Sequence, residues 1–110
     1  MEVGVAKIIA LIKRRPDMPW ADFAREWQVE HPPYVWALPR VRKYVQNLAA
    51  QNGRDWPYDG VAELWFDSVR DIALAFDSPE AQPMRDHETE FIGTLEWLLA
   101  DETDVMEPQA

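Results

Sequence analysis

The sequence of 110 residues contains no cysteine, which excludes disulfide bonds, thiolate nucleophiles and cysteine-ligated zinc or iron–sulfur sites. It has only four glycines, and it lacks a glycine-rich phosphate loop, a GxSxG nucleophile elbow and a dinucleotide-binding fingerprint. Chemistry that depends on NAD, ATP or a serine nucleophile is therefore not expected. We expect a protein that is stabilised by packing and uses no cofactor.

Long apolar runs are also absent. The two longest, Val3–Ile12 and Leu95–Ala100, are well short of the roughly 18 residues that span a bilayer. The basic cluster over residues 13–15 follows the first run, whereas a signal peptide carries its positive charge before the apolar segment. The sequence therefore predicts a cytoplasmic protein with no membrane partner.

Positive charge is scarce in the second half of the chain. Residues 1–55 hold nine Lys or Arg and six Asp or Glu, a net charge of +3, whereas residues 56–110 hold two and 14, a net charge of −12, and the total is −9. Nucleic-acid binding requires a basic face that neutralises phosphates. Because the remainder is so acidic, no nucleic-acid partner is expected.

Apolar and aromatic residues are abundant, at 47% and 12% of the chain, and six of the aromatic residues are tryptophans. A chain of this length and composition forms one hydrophobic core. We predict a single domain over residues 1–103 and an acidic C-terminal tail over residues 104–110.

The first half of the chain contains a strand pattern, a helix pattern and a second strand pattern. Residues 3–12 are apolar at nearly every position, which is typical of a strand covered on both faces. Apolar residues recur at i, i+3, i+4 and i+7 from Trp20, which predicts a helix with Pro19 in its first turn. This helix should end near His31, because two prolines follow. Residues 41–48 are rich in β-branched and aromatic side chains and predict the second strand.

The second half of the chain repeats the alternation of strand and helix. The predicted elements are, in order, a hairpin loop over residues 49–59, a strand over 60–66, a helix over 69–76 and a strand over 95–100. Asp67 or Ser68 should cap the helix that begins at residue 69. Before the last strand, Ser78 is expected to cap a further helix, and Gly93 is expected to end it.

The predicted order is β-α-β-β-α-β, the split βαβ arrangement of a ferredoxin-like α+β fold. Helices can cover only one face of its four-stranded sheet, yet the first and last strands are apolar on both faces. The simplest cover for the second face is another copy of the chain, packed sheet against sheet. We therefore predict a homodimer.

His31 is the first candidate for chemistry. It lies at the predicted end of the first helix, next to Glu30 and before two prolines, so its placement is rigid. An imidazole titrates near neutral pH, which suits a general acid or base at the edge of an apolar pocket. The alternative is a helix-capping histidine that donates to the last carbonyl groups of the helix.

The second histidine, His87, shares a predicted helix face with Met84 and Phe91 and is expected to point inward. The carboxylates that could orient it are Asp86, Glu88 and Glu90. The alternative to a second acid or base is a semi-buried structural histidine. The two histidines are far apart in the sequence and show neither HxH nor HxxxH spacing, so a bound metal is not expected.

Several polar and aromatic residues are candidates for contact with a ligand. Tyr44 and Gln46 lie on one face of the second strand and could donate to a ligand carbonyl or phenol, or form a polar pair at the strand end. The tryptophans are either core residues or the walls of a pocket for an aromatic molecule. The residues expected to bind substrate are Trp27, Tyr34, Gln46, Trp65 and Phe91.

Several segments together resemble the EthD family over about residues 5–99. They are Lys7–Met18, Phe23 and Trp27 ahead of Glu30-His31-Pro32, Leu38-Pro39, Val41–Asn47 and Tyr58–Ser68. This resemblance implies a dimeric α+β barrel, in which a ferredoxin-like protomer pairs through its sheet. Family members with assigned chemistry are similar to cofactor-independent enzymes that act on cyclic or polyketide-type small molecules, such as a methylmuconolactone methylisomerase, decarboxylases and cyclases.

The resemblance also implies roles for particular residues. His31 is the acid or base by this comparison, and Tyr44 stands where the methylisomerase also carries a tyrosine. Many members have Asp four residues before Phe91, where this chain has His87, and its segment 91–93 resembles the methylisomerase. Two acid/base groups in one pocket would suit lactone isomerisation, dehydration or decarboxylation.

We therefore expect a cofactor-independent lyase or isomerase of an aromatic, polyketide-type or muconolactone-like molecule. His31 would move the proton, and Tyr44 or His87 would polarise the oxygen. One alternative is a non-catalytic dimeric binding or accessory protein of an ether- or aromatic-degrading oxygenase system. Another is a cofactorless oxygenase of an electron-rich phenol or anthrone, in which the substrate itself activates oxygen.

Overall fold

A computed structural model describes residues 6–106, which form one antiparallel sheet with helical segments against one of its faces. The strands are β1 Ala6–Arg14, β2 Lys43–Leu48, β3 Gly60–Phe66 and β4 Ile92–Ala100. The helices are α1 Trp20–Arg25, α2 Pro32–Trp36, α3 Val69–Phe76 and α4 Ala81–Glu88, with a π-helical stretch at Glu26–Glu30 between α1 and α2. The strand order is β2-β3-β1-β4, and every neighbouring pair is antiparallel. This is the predicted ferredoxin-like protomer.

The central strand β1 has two apolar faces in different surroundings. Ile8, Ala10 and Ile12 are buried on the face that the helices cover. Ile9 and Leu11 are half-buried on the opposite, outer face of the sheet. Strand β1 is therefore apolar on both faces for two reasons. One face packs against the helices, and the outer face is apolar although no helix of the described chain covers it.

The core between the sheet and the helices is built on large aromatic side chains. Phe23, Trp27, Phe66 and Phe91 are almost completely buried. The ring of Phe23 stacks on Trp27 at 5.7 Å between centroids and lies 6.0 Å from Phe91. Helix α1 has only six residues, too few to be stable alone, so this packing holds it in place.

Trp27 can approach the sheet because β3 begins with a glycine. A Cβ atom at Gly60 would lie only 2.4 Å from the indole ring of Trp27. Any larger residue would therefore push the indole away from the sheet. The small residue at the start of β3 lets the first helical segment lie close to the strands.

The first helical segment is not the single regular helix that the spacing predicts. Helix α1 ends at Arg25, and α2 resumes after His31. In a regular α-helix a proline ring clashes with the carbonyl group four residues earlier, and the wider turn before Pro32 relieves that clash. Pro19 is also displaced by one position, since it precedes the first turn as an extended residue with ψ of 149°.

The predicted ends of α4 are wrong. The hydroxyl of Ser78 donates to the carbonyl oxygen of Ala75, and the N-cap of α4 is Glu80. Gly93 lies within β4, where a Cβ atom would be 2.9 Å from the carbonyl oxygen of Arg14. Gly93 therefore allows two strands to approach closely and does not end the helix.

The other elements lie close to their predicted positions. Strand β3 and helix α3 have the predicted bounds, and Ser68 caps α3 by accepting from the backbone N–H of Asp71. Strand β2 begins two residues late, at Lys43, and β4 begins three residues early, at Ile92. The prediction for residues 3–5 lies outside the described residues. Within residues 6–106, no helix is both long and apolar enough to cross a membrane.

Candidate functional site

Two buried histidines from distant parts of the chain are in direct contact. His31 lies between the π-helical stretch and α2, and His87 lies in the last turn of α4. Their Nδ1 atoms are 2.9 Å apart, and the residues are only 3% and 7% exposed. At this distance one ring donates and the other accepts, so the two Nδ1 atoms share one proton. His31 occupies the C-cap position of the π-helical stretch, but its side chain contacts His87 and not the last carbonyl groups of the helix.

The π-helical stretch aligns Glu26 with His31. The backbone N–H of His31 donates to the carbonyl oxygen of Glu26, five residues back, at 2.8 Å. In a regular α-helix, residues five apart point about 140° away from each other. The wider π-helical turn places Glu26 and His31 on the same side of the helix, so the side chain of Glu26 reaches the histidine pair.

Glu26 determines which nitrogen atoms carry protons. Its Oε2 atom lies 3.1 Å from Nε2 of His87. A carboxylate only accepts, so Nε2 of His87 donates, and Nδ1 of His87 is then the acceptor from Nδ1 of His31. In the neutral pair, Nε2 of His31 carries no proton and presents a lone pair.

Glu88 lies beside the free nitrogen of His31. Its Oε2 atom is 3.7 Å from Nε2 of His31. This distance is longer than a hydrogen bond, so Glu88 is a nearby negative charge and not a direct partner of the nitrogen atom. The arrangement can take a proton from a bound molecule and return it.

Aromatic rings hold the two imidazoles in position. Tyr34 stacks on His87 with centroids 4.8 Å apart. Phe91 is fully buried and lies 5.2 Å from His31 and 5.1 Å from His87. These rings fix the planes of the imidazoles and keep water away from the bond between them.

Tyr44 brings a hydroxyl group close to these residues. The side-chain amide of Gln46 donates both to the hydroxyl oxygen of Tyr44 and to the carbonyl oxygen of Trp27, each at 2.7 Å. Because the Tyr44 oxygen accepts from Gln46, its own proton can be donated elsewhere. Burial raises the pKa of Tyr44 to about 12, helped by the negative charge of Glu88. Tyr44 is therefore a hydrogen-bond donor at neutral pH and not a base.

Tyr44 should ionise late in an alkaline titration. Its pKa in the folded protein, about 12, is above the reference value of 10.0. The neutral phenol therefore contributes stability that is complete below pH 10 and is lost as the pH rises from about 10 to about 12. We expect tyrosinate absorbance to show a late step that the Tyr44→Phe variant lacks. Loss of a step near pH 10 in that variant would contradict this assignment.

A cavity of about 480 Å³ lies between the sheet and the helices, and His31, Tyr44 and Glu88 form part of its wall. This volume is within the range of small-molecule binding sites. Most of the remaining wall is apolar and includes Ile8, Ala10, Trp27, Leu64, Ile72 and Met84. Such a cavity can hold a hydrophobic molecule and present its polar part to the histidine and the tyrosine.

The structure brings most of the predicted site residues together in two layers. Those that line the cavity are Trp27, His31 and Tyr44. Those that contact the wall from behind are Tyr34, Gln46, His87 and Phe91. His87 reaches the cavity only through His31, so its geometry is that of a positioning residue. Within residues 6–106, no three His, Asp or Glu side chains form a group that could hold a metal ion.

Trp65 does not belong to this site. It lies on the outer face of the sheet, with the ammonium groups of Lys7 and Lys43 over its ring at 4.6 and 4.7 Å. Its indole N–H donates to Glu102 at 3.1 Å. The expectation that Trp65 contacts a ligand in this cavity is wrong. Side chains alternate between the two faces along β3, so Leu64 lines the cavity and Trp65 lies on the outer face.

Sequence reasoning missed the contact of Glu26 with His87 and named Glu88 as one of three carboxylates that could orient His87. Glu88 faces His31, and the carboxylate on His87 comes from Glu26, 61 residues away in the sequence. With a period of 3.6 residues, Glu26 falls on the polar face of the first helix. The one available signal is the pair of prolines after His31, which indicates an irregular turn.

The fold and the site together define a ferredoxin-like α+β protein with two contacting histidines beside an apolar cavity. The EthD domain family matches residues 15–94. The chain belongs to the EthD family.

Solved structures of similar fold include an EthD family protein from Bacillus halodurans, with a TM-score of 0.75 and 19% identity over 90% of this chain and 99% of that one. A dimeric ferredoxin-like protein of unknown function from Bacteroides fragilis has a TM-score of 0.71 and 17% identity over 93% of this chain and 100% of that one. SnoaB, a cofactor-independent oxygenase from Streptomyces nogalater, has a TM-score of 0.69 and 11% identity over 96% of this chain and 100% of that one. No curated protein matches this chain.

Proposed function

We propose that this protein is a cofactor-independent lyase or isomerase that moves a proton on an aromatic, polyketide-type or lactone-like molecule. The observation that carries the proposal is the place of His31 in the wall of an apolar cavity, with its Nδ1 atom 2.9 Å from Nδ1 of His87. Because His31 is only 3% exposed, its imidazole is shielded from bulk solvent and is available to a molecule bound in the cavity.

The reaction begins when Nε2 of His31 removes a proton from a carbon atom next to a carbonyl group. The electron pair of the broken C–H bond moves to the carbonyl oxygen, and Tyr44 donates a hydrogen bond to the enolate that forms. Return of the proton to a different carbon atom gives isomerisation. Departure of a hydroxide from the β carbon atom, which takes the abstracted proton and leaves as water, gives dehydration. In decarboxylation the C–C bond to the carboxylate breaks instead of a C–H bond: carbon dioxide leaves, the electron pair forms the enolate that Tyr44 stabilises, and a proton then adds to the carbon atom.

A ligand screen tests this proposal. Tryptophan fluorescence and thermal shift would detect binding of aromatic polyketides, anthrones and muconolactones, and mass spectrometry would follow the fate of each bound compound. Conversion of a ligand supports the proposal, and the mass change identifies the class of reaction. A tightly bound ligand that is recovered intact would contradict an enzymatic role and favour a binding or accessory protein.

A cofactorless oxygenase is the second candidate, and the likeness of fold to SnoaB favours it. In that reaction His31 would remove the proton of a phenol, and the resulting phenolate would pass an electron to molecular oxygen. An oxygen electrode separates the two candidates. Oxygen uptake that equals product formation supports the oxygenase, and product formation without uptake supports proton transfer alone.

The proposal includes a homodimer that packs the outer faces of two sheets together. The outer face carries the apolar residues Ile9, Leu11, Val45, Val61 and Leu98. Lys7 and Glu63 form an ion pair of 2.7 Å on the same face, so that charge is compensated when the face is covered. The similar structure from Bacteroides fragilis is that of a dimeric protein.

Leu98→Glu is expected to convert the dimer to a monomer. Leu98 is 46% exposed and lies opposite Ile9 in the sheet, so a carboxylate there would have to be desolvated in the dimer. Sedimentation velocity measures the change. Val29→Glu is the matched control, because Val29 is 60% exposed on a helix and lies away from the outer face. A wild-type protein that is monomeric at all concentrations would refute the dimer.

A further inference from the structure

We propose that His31, His87 and Glu26 form a proton relay that connects the cavity to solvent. The proposal rests on the role of His31 as a base and assigns functions to two residues that do not line the cavity. His87 and Glu26 are positioning and relay residues in this scheme, and neither touches the bound molecule.

The atoms of the relay form an unbroken series from the cavity outward. His31 lines the cavity together with Glu88, whose Oε2 atom is 3.7 Å from Nε2 of His31. Nδ1 of His31 is 2.9 Å from Nδ1 of His87. Nε2 of His87 is then 3.1 Å from Oε2 of Glu26. Side-chain exposure rises along the series from 3% at His31 to 8% at His87 and 32% at Glu26. His31, at the inner end of the series, is therefore almost fully buried, and Glu26, at the outer end, is accessible to solvent.

Each proton in the transfer moves over one hydrogen bond. The bond between the substrate and its proton breaks as Nε2 of His31 takes the proton up. The proton on Nδ1 of His31 passes to Nδ1 of His87, and the proton on Nε2 of His87 passes to the carboxylate of Glu26. The substrate becomes an anion and Glu26 becomes neutral, so the total charge does not change.

The relay avoids a buried imidazolium ion. If the proton stayed on His31, a cation would remain in a side chain that is 3% exposed, with only the carboxylate of Glu88, at 3.7 Å, to compensate it. With the relay, both imidazoles are neutral before and after transfer and exchange only their tautomers. Tyr34 and Phe91 pack against the rings and carry no charge at neutral pH that would oppose this exchange.

The tautomers of the free protein test the relay without any substrate. The chain has two histidines, so long-range proton–nitrogen NMR of the uniformly ¹⁵N-labelled protein at about pH 8 would show two rings only. We expect one ring protonated at Nδ1, which is His31, and the other protonated at Nε2, which is His87. The wild-type spectrum shows whether the two rings hold different tautomers, and Glu26→Ala identifies His87 as the ring whose single-tautomer signals are lost.

Glu26→Ala should remove the constraint on His87. We expect its single-tautomer signals to be lost and both of its nitrogen signals to shift toward the average of the two tautomers, with a coupled shift at His31. Glu30→Ala is the matched control, because the carboxylate of Glu30 lies four residues further along and pairs with the exposed Arg25. The control should leave both rings unchanged.

Three results would overturn the relay. They are two rings protonated at Nε2, a His31 ring protonated at both nitrogen atoms at about pH 8, and equal effects of Glu26→Ala and Glu30→Ala. None of these results removes His31 from the cavity wall, so the proposed function would still stand on its ligand screen. Failure of that screen to find a converted ligand would in turn leave the tautomers as observed.

Discussion

His31→Gln is expected to lower product formation by roughly 10²–10⁴-fold, the range that a positioned general base contributes. Glutamine has no lone pair that accepts a proton at neutral pH, so the substrate would keep its hydrogen. The amide of glutamine can still donate to Nδ1 of His87, which leaves that buried acceptor with a partner and preserves the fold. Mass spectrometry of the reaction with a converted ligand measures the change.

Binding separates this loss from a collapse of the cavity. His31 contributes a small part of the wall, so the Kd of the ligand by tryptophan fluorescence should be retained in His31→Gln. Glu30→Ala, next to it in the sequence and exposed, should keep both binding and turnover. Full turnover in His31→Gln would show that this histidine is not the base and would remove the core of the proposed mechanism.

Trp27→Ala is expected to destabilise the fold by about 3–5 kcal/mol, the usual cost of removing a buried tryptophan. Trp27 is 1% exposed, its ring stacks on Phe23 and it fills the space over Gly60. The net stability of a domain is about 5–15 kcal/mol, so the variant would be close to unfolding. Urea denaturation followed by circular dichroism measures the difference.

An exposed tryptophan provides the comparison. Trp36 is 66% exposed on α2, so Trp36→Ala should change the free energy of unfolding by no more than about 0.5 kcal/mol. A similar loss in both variants would mean that Trp27 is not the centre of the core. The cavity should also change in Trp27→Ala, because Trp27 forms part of its wall.

Periodicity predicted the elements whose packing is regular. Strand β3 alternates strictly between buried and half-buried residues, and α3 has a single apolar face with a serine cap, so both were located to the residue. The first helix was not, because its irregularity depends on how Pro32 meets the preceding turn. Gly93 is a helix terminator by its residue type, and only the approach of Arg14 in the folded chain explains its place in β4.

The site was predictable in its residue types and not in its pairing. Both histidines and Tyr44 were identified from chemistry and resemblance, but a contact between positions 31 and 87 depends on how α4 packs against α2. The contact of Glu26 with His87 depends on the π-helical turn, which an analysis based on the 3.6-residue period of an α-helix cannot predict. Trp65 is different. Successive residues of a strand point to opposite faces of the sheet, so Trp65 and Leu64 cannot both face the cavity, and the sequence alone could have excluded Trp65.

The π-helical stretch has a consequence for insertions and deletions in this family of sequences. Its backbone hydrogen bond spans five residues, whereas that of a regular α-helix spans four. The stretch therefore corresponds to a single-residue insertion that the fold retains. Exchange of the exposed Gln28 or Val29 leaves that count unchanged, whereas deletion of either would return the segment to a regular α-helical turn, in which the ring of Pro32 clashes with the carbonyl group four residues earlier. The geometry around His31 therefore depends on the length of this segment as much as on the identity of its residues.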